Sequence, residues 1–326
     1  MITAVITGTG SALPSQVVTN RDLEKLVDTS DEWITTRTGI KERRIAGVGE
    51  PLSLYACEAA GRALESAALD ASAVDMILCA TVTPDRLIPA TSCIIQRKLR
   101  APKAAAFDMQ AGCSGFIYAL QIAKMAVATG SYECVLVIGA ELLSKYMDWT
   151  DRGTCVIFAD GAGAVIVRPG DPPRGILSTR LRSDGEMADF ITIPAGGTEQ
   201  PISIEAIQRR DHLIKMKGNE TFKIAVRSIE EVSRAVLEAE GITAADVDLF
   251  VPHQANLRII DAVASRMGIE ESKIYVNVDR IGNTSAASIP IALDEASRGG
   301  RLKRGDTVLL AAFGAGLTWA ASLVRW

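Results

Sequence analysis

Segments with the periodicity of strands and helices alternate along this chain, and they occur twice in the same order. In the first half, helices are predicted at 52–68, 90–99 and 116–128, and strands at 74–82, 104–109, 135–140 and 164–167. In the second half, helices are predicted at 220–240, 257–267 and 285–297, and strands at 247–252, 273–278, 307–312 and 319–325. Such alternation is typical of α/β proteins. The sequence therefore predicts a duplicated α/β fold of five layers, with helices packed between two sheets.

The two halves are predicted to be residues 1–173 and 174–326. The helices at 116–128 and 285–297 occupy equivalent places, and both are rich in small residues, as two helices packed at the centre of such a molecule would be. The segment 174–217 is polar and irregular. We expect it to form a long excursion or a lid.

Composition and charge argue against several classes of function. A net charge of −4 without a basic stripe gives no indication of nucleic-acid binding. No apolar run approaches about 18 residues, so no membrane span is expected, and the N-terminus does not resemble a signal peptide. None of the six cysteines has C-x-x-C spacing, which argues against zinc ribbons and thioredoxin chemistry. Cys79 and Cys134 lie at apolar strand-like runs, as reduced thiols would, and a cytosolic location is expected.

Cys113 lies where a predicted strand gives way to a predicted helix. The apolar run 104–109 precedes it, and the helix at 116–128 follows. Unpaired N–H groups and the positive end of a helix dipole favour a thiolate at such a position. Gly112 and Gly115 allow a tight turn and a close approach of other groups. Taken alone, the motif is better explained by a buried structural cysteine.

The chain has two histidines, and their contexts differ. His212 lies in a charged stretch and is interpreted as a solvated surface residue. His253 follows a predicted strand and precedes a predicted helix, where open α/β sheets place ligand groups. Asn283 alone would be interpreted as a helix N-cap, but by the repeat it occupies the place of Cys113. A Cys, a His and an Asn at matching strand ends together predict a catalytic set.

A glycine-rich turn at 313–317 follows the predicted strand 307–312 and faces the same edge. One of its backbone N–H groups is a candidate to pair with the N–H of Cys113 as an oxyanion hole. A β-hairpin turn explains the same residues, and the two interpretations are compatible.

Further motifs accompany these residues. They are Thr29-Ser30-Asp31-Glu32-Trp33-Ile34, Arg37-Thr38-Gly39-Ile40, Ala111-Gly112-Cys113-Ser114-Gly115, Asp148-Trp149-Thr150-Asp151-Arg152, Asp160-Gly161-Ala162-Gly163-Ala164, Val251-Pro252-His253-Gln254-Ala255-Asn256 and Gly282-Asn283-Thr284-Ser285-Ala286-Ala287. From Gly8 to Trp326 the chain resembles the ketoacyl-acyl-carrier-protein synthase III family of bacterial type II fatty-acid synthesis. The last two motifs are highly specific together.

The resemblance implies a thiolase-like fold, with two βαβαβαββ halves in an αβαβα sandwich. It implies an acyltransferase that condenses a short acyl-CoA primer, acetyl-CoA or similar, with malonyl carrier protein. Cys113 would carry the acyl group, and the Cys113 and Ala315 amides would form the oxyanion hole. His253 and Asn283 would stabilise the enolate left by decarboxylation, and Phe313 would crowd the malonyl carboxylate. Coenzyme A enters as a substrate thioester, and no cofactor or metal is expected.

The resemblance also assigns binding residues. Trp33 and Arg152 are expected to sandwich the adenine of coenzyme A, with Arg37 near its phosphates. Lys223 and Arg258 are candidate contacts for the acyl carrier protein, although a solvated helix face explains them about as well. Ala315 stands where relatives frequently have glycine, and alanine can serve there if its φ is negative.

A homodimer is implied as well, with a coenzyme A tunnel leading to the cysteine. In the family, the loop at 84–89 reaches across the dimer and its residue before the proline, Ile88, caps the partner's acyl pocket. Relatives restricted to acetyl primers often carry phenylalanine there. Since isoleucine is shorter, we expect propionyl, butyryl or branched four- to five-carbon primers to be accepted besides acetyl.

Three other interpretations of the residues stay open at this point. A papain-like hydrolase also uses Cys, His and Asn, but the Gln and Trp context around its cysteine is missing and the repeat would be unexplained. A condensing enzyme of a polyketide or other specialised acyl pathway shares the triad; the plant-type synthases of this kind extend with malonyl-CoA and are typically longer. A non-catalytic acyl-binding protein is the third.

Overall fold

The computed structural model describes residues 2–326, which form thirteen strands and ten α-helices. The strands are β1 (Thr3–Ala12), β2 (Gln16–Thr19), β3 (Glu42–Ile45), β4 (Met76–Ala80), β5 (Ala105–Met109), β6 (Val135–Leu142), β7 (Asp160–Gly170), β8 (Gly175–Ser183), β9 (Ile191–Thr192), β10 (Lys215–Met216), β11 (Leu249–Pro252), β12 (Thr307–Gly314) and β13 (Thr318–Arg325). The helices are α1 (Asn20–Leu23), α2 (Asp31–Thr38), α3 (Leu52–Ser66), α4 (Thr91–Leu99), α5 (Gly115–Ala128), α6 (Ile204–Gln208), α7 (Gly218–Ala239), α8 (Leu257–Met267), α9 (Val278–Ile281) and α10 (Ser288–Arg298).

Two sheets share one topology. The first has the order β1-β7-β6-β4-β5, with β4 parallel to both β5 and β6 and with β7 antiparallel to β1 and β6. The second has the order β8-β13-β12-β11, with β11 parallel to β12 and with β13 antiparallel to β8 and β12. An isolated parallel bridge from Phe250 to Ile274 stands where the fifth strand of this sheet would lie. The strand order therefore repeats, as the predicted duplication requires, while the exact boundary at 173/174 stays a prediction.

The helices form three layers around these sheets. Helices α5 and α10 contact strands of both sheets and lie between them, whereas α3 covers the first sheet and α7 the second. The central layer is packed from apolar and small side chains that are fully buried, including Phe116, Leu120, Ile289 and Leu293. Burial of this kind contributes roughly 25 cal/mol per Å² of apolar surface. The predicted five-layered αβαβα arrangement is confirmed.

Close backbone contacts between the layers depend on glycine. In β1, a Cβ at Gly10 would lie 2.2 Å from the Ala59 carbonyl oxygen, so α3 approaches the sheet only because this position lacks a side chain. Gly8 and Gly10 also interrupt the apolar pattern of residues 3–12. Strand β1 is therefore not evident from the sequence.

Two other expectations are wrong. The predicted strand 273–278 is reduced to the single bridge at Ile274, because the N–H groups of Asn277 and Val278 donate to the Gln254 side-chain oxygen at 2.9 and 3.2 Å rather than to a neighbouring strand. The segment 174–217 is not irregular throughout. Its first part forms β8, which pairs with β13 along the edge of the second sheet.

No helix among residues 2–326 is both long and apolar enough to cross a membrane. All six cysteines are free, and Cys79 and Cys134 are buried as predicted.

Candidate active site

Cys113 lies on the turn that the sequence predicted. Strand β5 ends at Met109, a 3-10 turn spans Gly112–Ser114, and α5 begins at Gly115. Gly112 has a φ of +52°, and a Cβ there would lie 2.7 Å from the Ala315 nitrogen. Glycine is therefore required both for the left-handed backbone and for the approach of the opposite loop.

One cavity of about 910 Å³ gathers the predicted site residues. Its walls include Trp33, Arg37, Cys113, Arg152, Lys223, His253, Arg258, Asn283, Phe313 and Ala315. Ile88 does not line it, since that side chain is 86% exposed on the outside of the chain. The structure thus brings together every sequence-predicted site residue except Ile88.

The thiol of Cys113 is held in its protonated form. Although the residue is partly exposed to the cavity, burial of its sulfur raises the pKa of the thiol to about 12. The negative charge of Glu141 adds to this rise, whereas a hydrogen-bonding contact with the Ser285 side chain opposes it. Burial therefore opposes the resting thiolate that the helix N-terminus is expected to favour.

His253 is buried, and burial lowers the pKa of its imidazole to about 3. Its ring is therefore neutral at physiological pH. The Nδ1 atom lies 2.7 Å from the Ser288 hydroxyl oxygen. When that hydroxyl donates to Nδ1, the ring proton is on Nε2, which then becomes a hydrogen-bond donor.

The Asn283 side chain is oriented by the turn that follows it. Its Oδ1 accepts the Ser285 N–H at 2.8 Å, which leaves the Nδ2 group as the donor available to a ligand. Its backbone is held by Ile157 and Ala159, at 3.0 and 2.8 Å. The position is conformationally fixed on both sides.

The sequence predicted that Asn283 is the counterpart of Cys113 in the repeat. This prediction is wrong. The 3-10 turn Ser285–Ala287 precedes α10 as Gly112–Ser114 precedes α5. The middle residue of the first turn is Cys113, and the middle residue of the second turn is Ala286. Asn283 lies three residues earlier and reaches the cavity through a kink at Gly282, whose φ is +77°.

The loop after β12 packs directly on the cysteine. A Cβ at Gly314 would lie 2.3 Å from the Cys113 nitrogen. Ala315 is not among the described residues that combine a side chain with a positive φ, so alanine fits there without strain. Thr318 Oγ1 bridges the two turns by donating to the carbonyl oxygens of Ala111 at 2.7 Å and Ala315 at 3.1 Å. The geometry suits a pair of backbone donors at Cys113 and Ala315.

Trp33 lies on α2 and is contacted by two arginines. The Cζ atoms of Arg37 and Arg152 lie 5.0 and 5.1 Å from its ring centroid. A base between Trp33 and Arg152 needs about 3.5 Å on each side, roughly 7 Å in total. The spacing of these side chains leaves no such gap, so Arg152 must move for the expected sandwich to form. The Arg152 guanidinium also donates a hydrogen bond to the Asp28 carbonyl oxygen at 3.0 Å, and this bond would have to change with such a movement.

The remaining predicted residues occupy the cavity rim or lie beyond it. Lys223 on α7 and Arg258 on α8 are exposed, and the Arg258 Cζ lies 5.5 Å from the Phe222 ring centroid. His212 is partly buried rather than solvated, and its Nδ1 is buried without a hydrogen-bond partner among residues 2–326.

Comparison with known proteins decides the family. The profile described as 3-oxoacyl-[acyl-carrier-protein] synthase III matches residues 107–185, and the profile of its C-terminal part matches residues 237–326. The beta-ketoacyl-[acyl-carrier-protein] synthase III of Caldanaerobacter subterraneus subsp. tengcongensis is 54% identical over 325 residues, covering 100% of this chain and 98% of the relative. The chain belongs to the 3-oxoacyl-acyl-carrier-protein synthase III family.

Solved structures agree with this assignment. The synthase III of Aquifex aeolicus is 50% identical and superposes with a TM-score of 0.92, covering 99% of this chain and 100% of its own. A priming beta-ketosynthase from a polyketide biosynthetic pathway superposes with the same TM-score of 0.92 at 35% identity, covering 98% of this chain and 95% of its own. The family, the fold and the acyltransferase class predicted from the sequence are confirmed.

Behind the cavity lies one acidic residue that was not predicted from the sequence as part of the site, Glu141, and its side chain contacts the cavity-lining Ser285. Glu141 is fully buried near the end of β6, and burial raises its pKa to about 7. The signal was present in the sequence, because Glu141 is the one acidic residue in the apolar run Val135–Leu142. Buried carboxylates in such a run require a specific reason.

Proposed function

We propose that the chain starts fatty-acid synthesis by condensing a short acyl-CoA primer with malonyl carrier protein. The products are 3-oxoacyl carrier protein, coenzyme A and carbon dioxide. The observation that carries the proposal is that one cavity is lined by a thiol, by two neutral side-chain donors, and by the loop residue Ala315 opposite Cys113. The family supplies the reaction class, and these residues supply its chemistry.

The first half-reaction is acyl transfer to Cys113. The sulfur attacks the thioester carbon, and the backbone N–H groups of Cys113 and Ala315 stabilise the tetrahedral oxyanion. Collapse of this adduct breaks the carbon–sulfur bond to coenzyme A. The acyl group is then held on Cys113 through a thioester.

The second half-reaction is decarboxylation of the malonyl thioester. Nε2 of His253 and Nδ2 of Asn283 donate to the thioester oxygen and stabilise the enolate as carbon dioxide leaves. Because burial keeps the imidazole neutral, the pair gains most as negative charge develops. Phe313 supplies an apolar wall that disfavours the malonyl carboxylate relative to the carbon dioxide formed. The enolate carbon then attacks the acyl carbon on Cys113, and the carbon–sulfur bond to Cys113 breaks, which releases the cysteine as a thiolate and leaves the 3-oxoacyl chain on the carrier protein.

The mouth of the cavity suits both substrates. Trp33, Arg37 and Arg152 offer an aromatic face and two guanidinium groups for the nucleotide of coenzyme A. The exposed Lys223 and Arg258 offer positive charge to an acidic carrier protein. No further cofactor is proposed.

Arg152→Ala is expected to raise the KM for acyl-CoA by about tenfold, as expected for one desolvated cation–aromatic contact. The alkylation rate of Cys113 by iodoacetamide is expected to stay unchanged, because Arg152 does not contact the sulfur. The control substrate is an N-acetylcysteamine thioester, which lacks the nucleotide and should react equally with both proteins. An equal loss with both thioesters would show that Arg152 supports the fold instead.

We propose a homodimer that uses the free edge of β5. This strand lies at the end of its sheet, and its Phe107 is 39% exposed. Leu87 and Ile88 on the nearby loop are 85% and 86% exposed, which is unusual for large apolar side chains. A second copy would cover these groups and receive Ile88 at its acyl pocket. The six free cysteines suit a reducing compartment, and we propose the cytoplasm.

Ile88→Phe is expected to reduce turnover with butyryl-CoA and branched five-carbon primers at least tenfold while sparing acetyl-CoA. The reason is that overpacking a pocket costs about 1–3 kcal/mol. The measurement is kcat/KM over a series of acyl-CoA chain lengths. Leu87→Phe is the matched control, because the neighbouring side chain is equally exposed but is not the proposed cap. An unchanged primer profile in Ile88→Phe would show that this residue does not bound the pocket.

One experiment tests the whole function. The protein is incubated with acetyl-CoA and malonyl carrier protein, and the mass of the carrier protein is measured by intact-mass spectrometry. A 3-oxoacyl carrier protein is expected. Release of coenzyme A with an unchanged malonyl carrier would indicate hydrolysis instead. Extension with malonyl-CoA in place of the carrier-bound form would indicate an enzyme of the polyketide type.

A further inference from the structure

Glu141 is a buried carboxylate that neither half-reaction above uses. Its oxygens accept hydrogen bonds from Thr83 Oγ1 at 2.7 Å, Thr81 Oγ1 at 3.2 Å and the Val82 N–H at 3.1 Å. All three donors are neutral, so the carboxylate is stabilised by hydrogen bonds and not by an opposing charge. A purely structural acceptor for these donors could be a neutral amide. The charge therefore calls for an explanation.

Ser285 connects this carboxylate to the nucleophile. Its hydroxyl lies 3.2 Å from Glu141 Oε1, and the two residues are 144 positions apart in the chain. The same residue lines the cavity together with Cys113, and hydrogen bonding by its side chain lowers the pKa of the Cys113 thiol. A single hydroxyl therefore stands between the sulfur and the buried carboxylate.

The fold holds Ser285 in an unfavourable backbone conformation to achieve this. Its φ is +50°, a left-handed value that side chains disfavour. On the β6 side, a Cβ at Gly139 would lie 2.2 Å from the Ala286 carbonyl oxygen, so the turn packs directly on the strand that carries Glu141. Strain at a position so tightly enclosed points to a functional constraint on where the hydroxyl lies.

Acyl transfer requires an acceptor for the thiol proton. Cys113 is protonated in the resting protein because its pKa is about 12. His253 is a poor acceptor because its pKa is about 3. Among these buried groups, the pKa of Glu141, about 7, is the best matched to physiological pH.

We propose that Ser285 and Glu141 form a proton relay for Cys113 during acyl transfer. As the sulfur bonds to the acyl carbon, its proton passes to Ser285 Oγ, which gives its own proton to Glu141 Oε1. When the bond to coenzyme A breaks, the departing thiolate takes the proton back by the reverse path. One proton moves in total, from Cys113 to the coenzyme A sulfur. Ser285 touches the reacting sulfur, and Glu141 is a positioning residue that acts through it; the relay rests on the proposed function.

The relay makes a prediction whose sign differs from that of simple electrostatics. Glu141→Gln removes a negative charge that raises the pKa of Cys113, so charge repulsion alone predicts faster alkylation of the thiol. The relay predicts alkylation by iodoacetamide about tenfold slower and acyl transfer about 10²-fold slower, because the proton acceptor is lost. Alkylation is followed at Cys113 by peptide mass mapping. Acyl transfer from acetyl-CoA is followed by quenched-flow intact mass.

The pH profile separates the relay from a structural role. In the wild type, both rates are expected to rise with pH through about 7 as Glu141 ionises, and Glu141→Gln is expected to lack this limb. Ser285→Ala should lack it too. Thr83→Val is the matched control, because it removes a hydrogen bond that favours the carboxylate but leaves Ser285 in place. Its limb should remain and move to higher pH.

Several results would overturn the relay. They are a wild-type profile without the limb, or variants that fold and react with the wild-type rate and limb. The wild-type profile is decisive even if both variants fail to fold. Alkylation does not use acyl-CoA, so a normal limb in alkylation with no acyl transfer would contradict the proposed function but not the proton acceptor.

Discussion

Asn283→Ala is expected to lose decarboxylation of the malonyl thioester by 10²-fold or more while Cys113 still takes up an acyl group. One hydrogen-bond donor aimed at a developing oxyanion contributes on the order of 3 kcal/mol. The measurements are release of carbon dioxide from malonyl carrier protein and the mass of the acyl adduct. Cys113→Ala should show the reverse separation. It cannot be acylated, but it retains decarboxylation because His253 and Asn283 remain.

The structure refines this experiment, because Asn283 also accepts the Ser285 N–H. Asn283→Asp keeps that acceptor and replaces only the donor by an anion. It should lose decarboxylation at least as completely as Asn283→Ala does. Condensation by Asn283→Ala within about threefold of the wild type would refute the assignment, because the lost donor should cost far more.

Gly314→Ala is expected to reduce the rate of acyl transfer 10²-fold or more and to lower the free energy of unfolding by about 1–3 kcal/mol. The added Cβ would lie 2.3 Å from the Cys113 nitrogen and 2.9 Å from its Cβ, so the turn that carries Cys113 has to move. A displacement of about 1 Å at reacting atoms is sufficient for such a loss of rate. Urea denaturation and single-turnover acylation measure the two effects.

Gly61→Ala is the control for this substitution. Gly61 lies within α3, and a Cβ added at this position would have nothing within 4 Å of it outside the helix's own backbone. Alanine there should stabilise the protein by about 0.5–1 kcal/mol through helix propensity and leave acylation unchanged. Wild-type acylation by Gly314→Ala would contradict the tight packing between the two loops.

Much of the site was predictable because its signals are local. The strand, turn and helix around Cys113 follow from an apolar run, two glycines and a second apolar run, and all three elements are confirmed. His253 was found in the same way, at the end of an apolar strand, whereas Asn283 was chosen from the repeat although it is not the counterpart of Cys113. The repeated order of elements was also sufficient to predict two sheets around a central pair of helices.

Elements whose hydrogen bonds come from distant residues were not predictable in this way. The run 273–278 has the composition of a strand, but the Gln254 side chain satisfies its N–H groups. Strand β1 was missed because its glycines serve the packing of α3 rather than the periodicity of the strand. In each case a tertiary contact overrides the local pattern.

The sequence by itself determined the family and most of the order of the elements, and it singled out Cys113, His253 and Asn283 as candidate catalytic residues. Only the tertiary structure decided the protonation of these groups and the way they face. A helix N-terminus favours a thiolate, yet burial and the Glu141 charge raise the pKa of the Cys113 thiol. Ser285 meets Glu141 across 144 residues. The physical reason is that pKa values and side-chain orientation depend on which distant groups surround an atom, whereas periodicity and turn formation depend on neighbours in the chain.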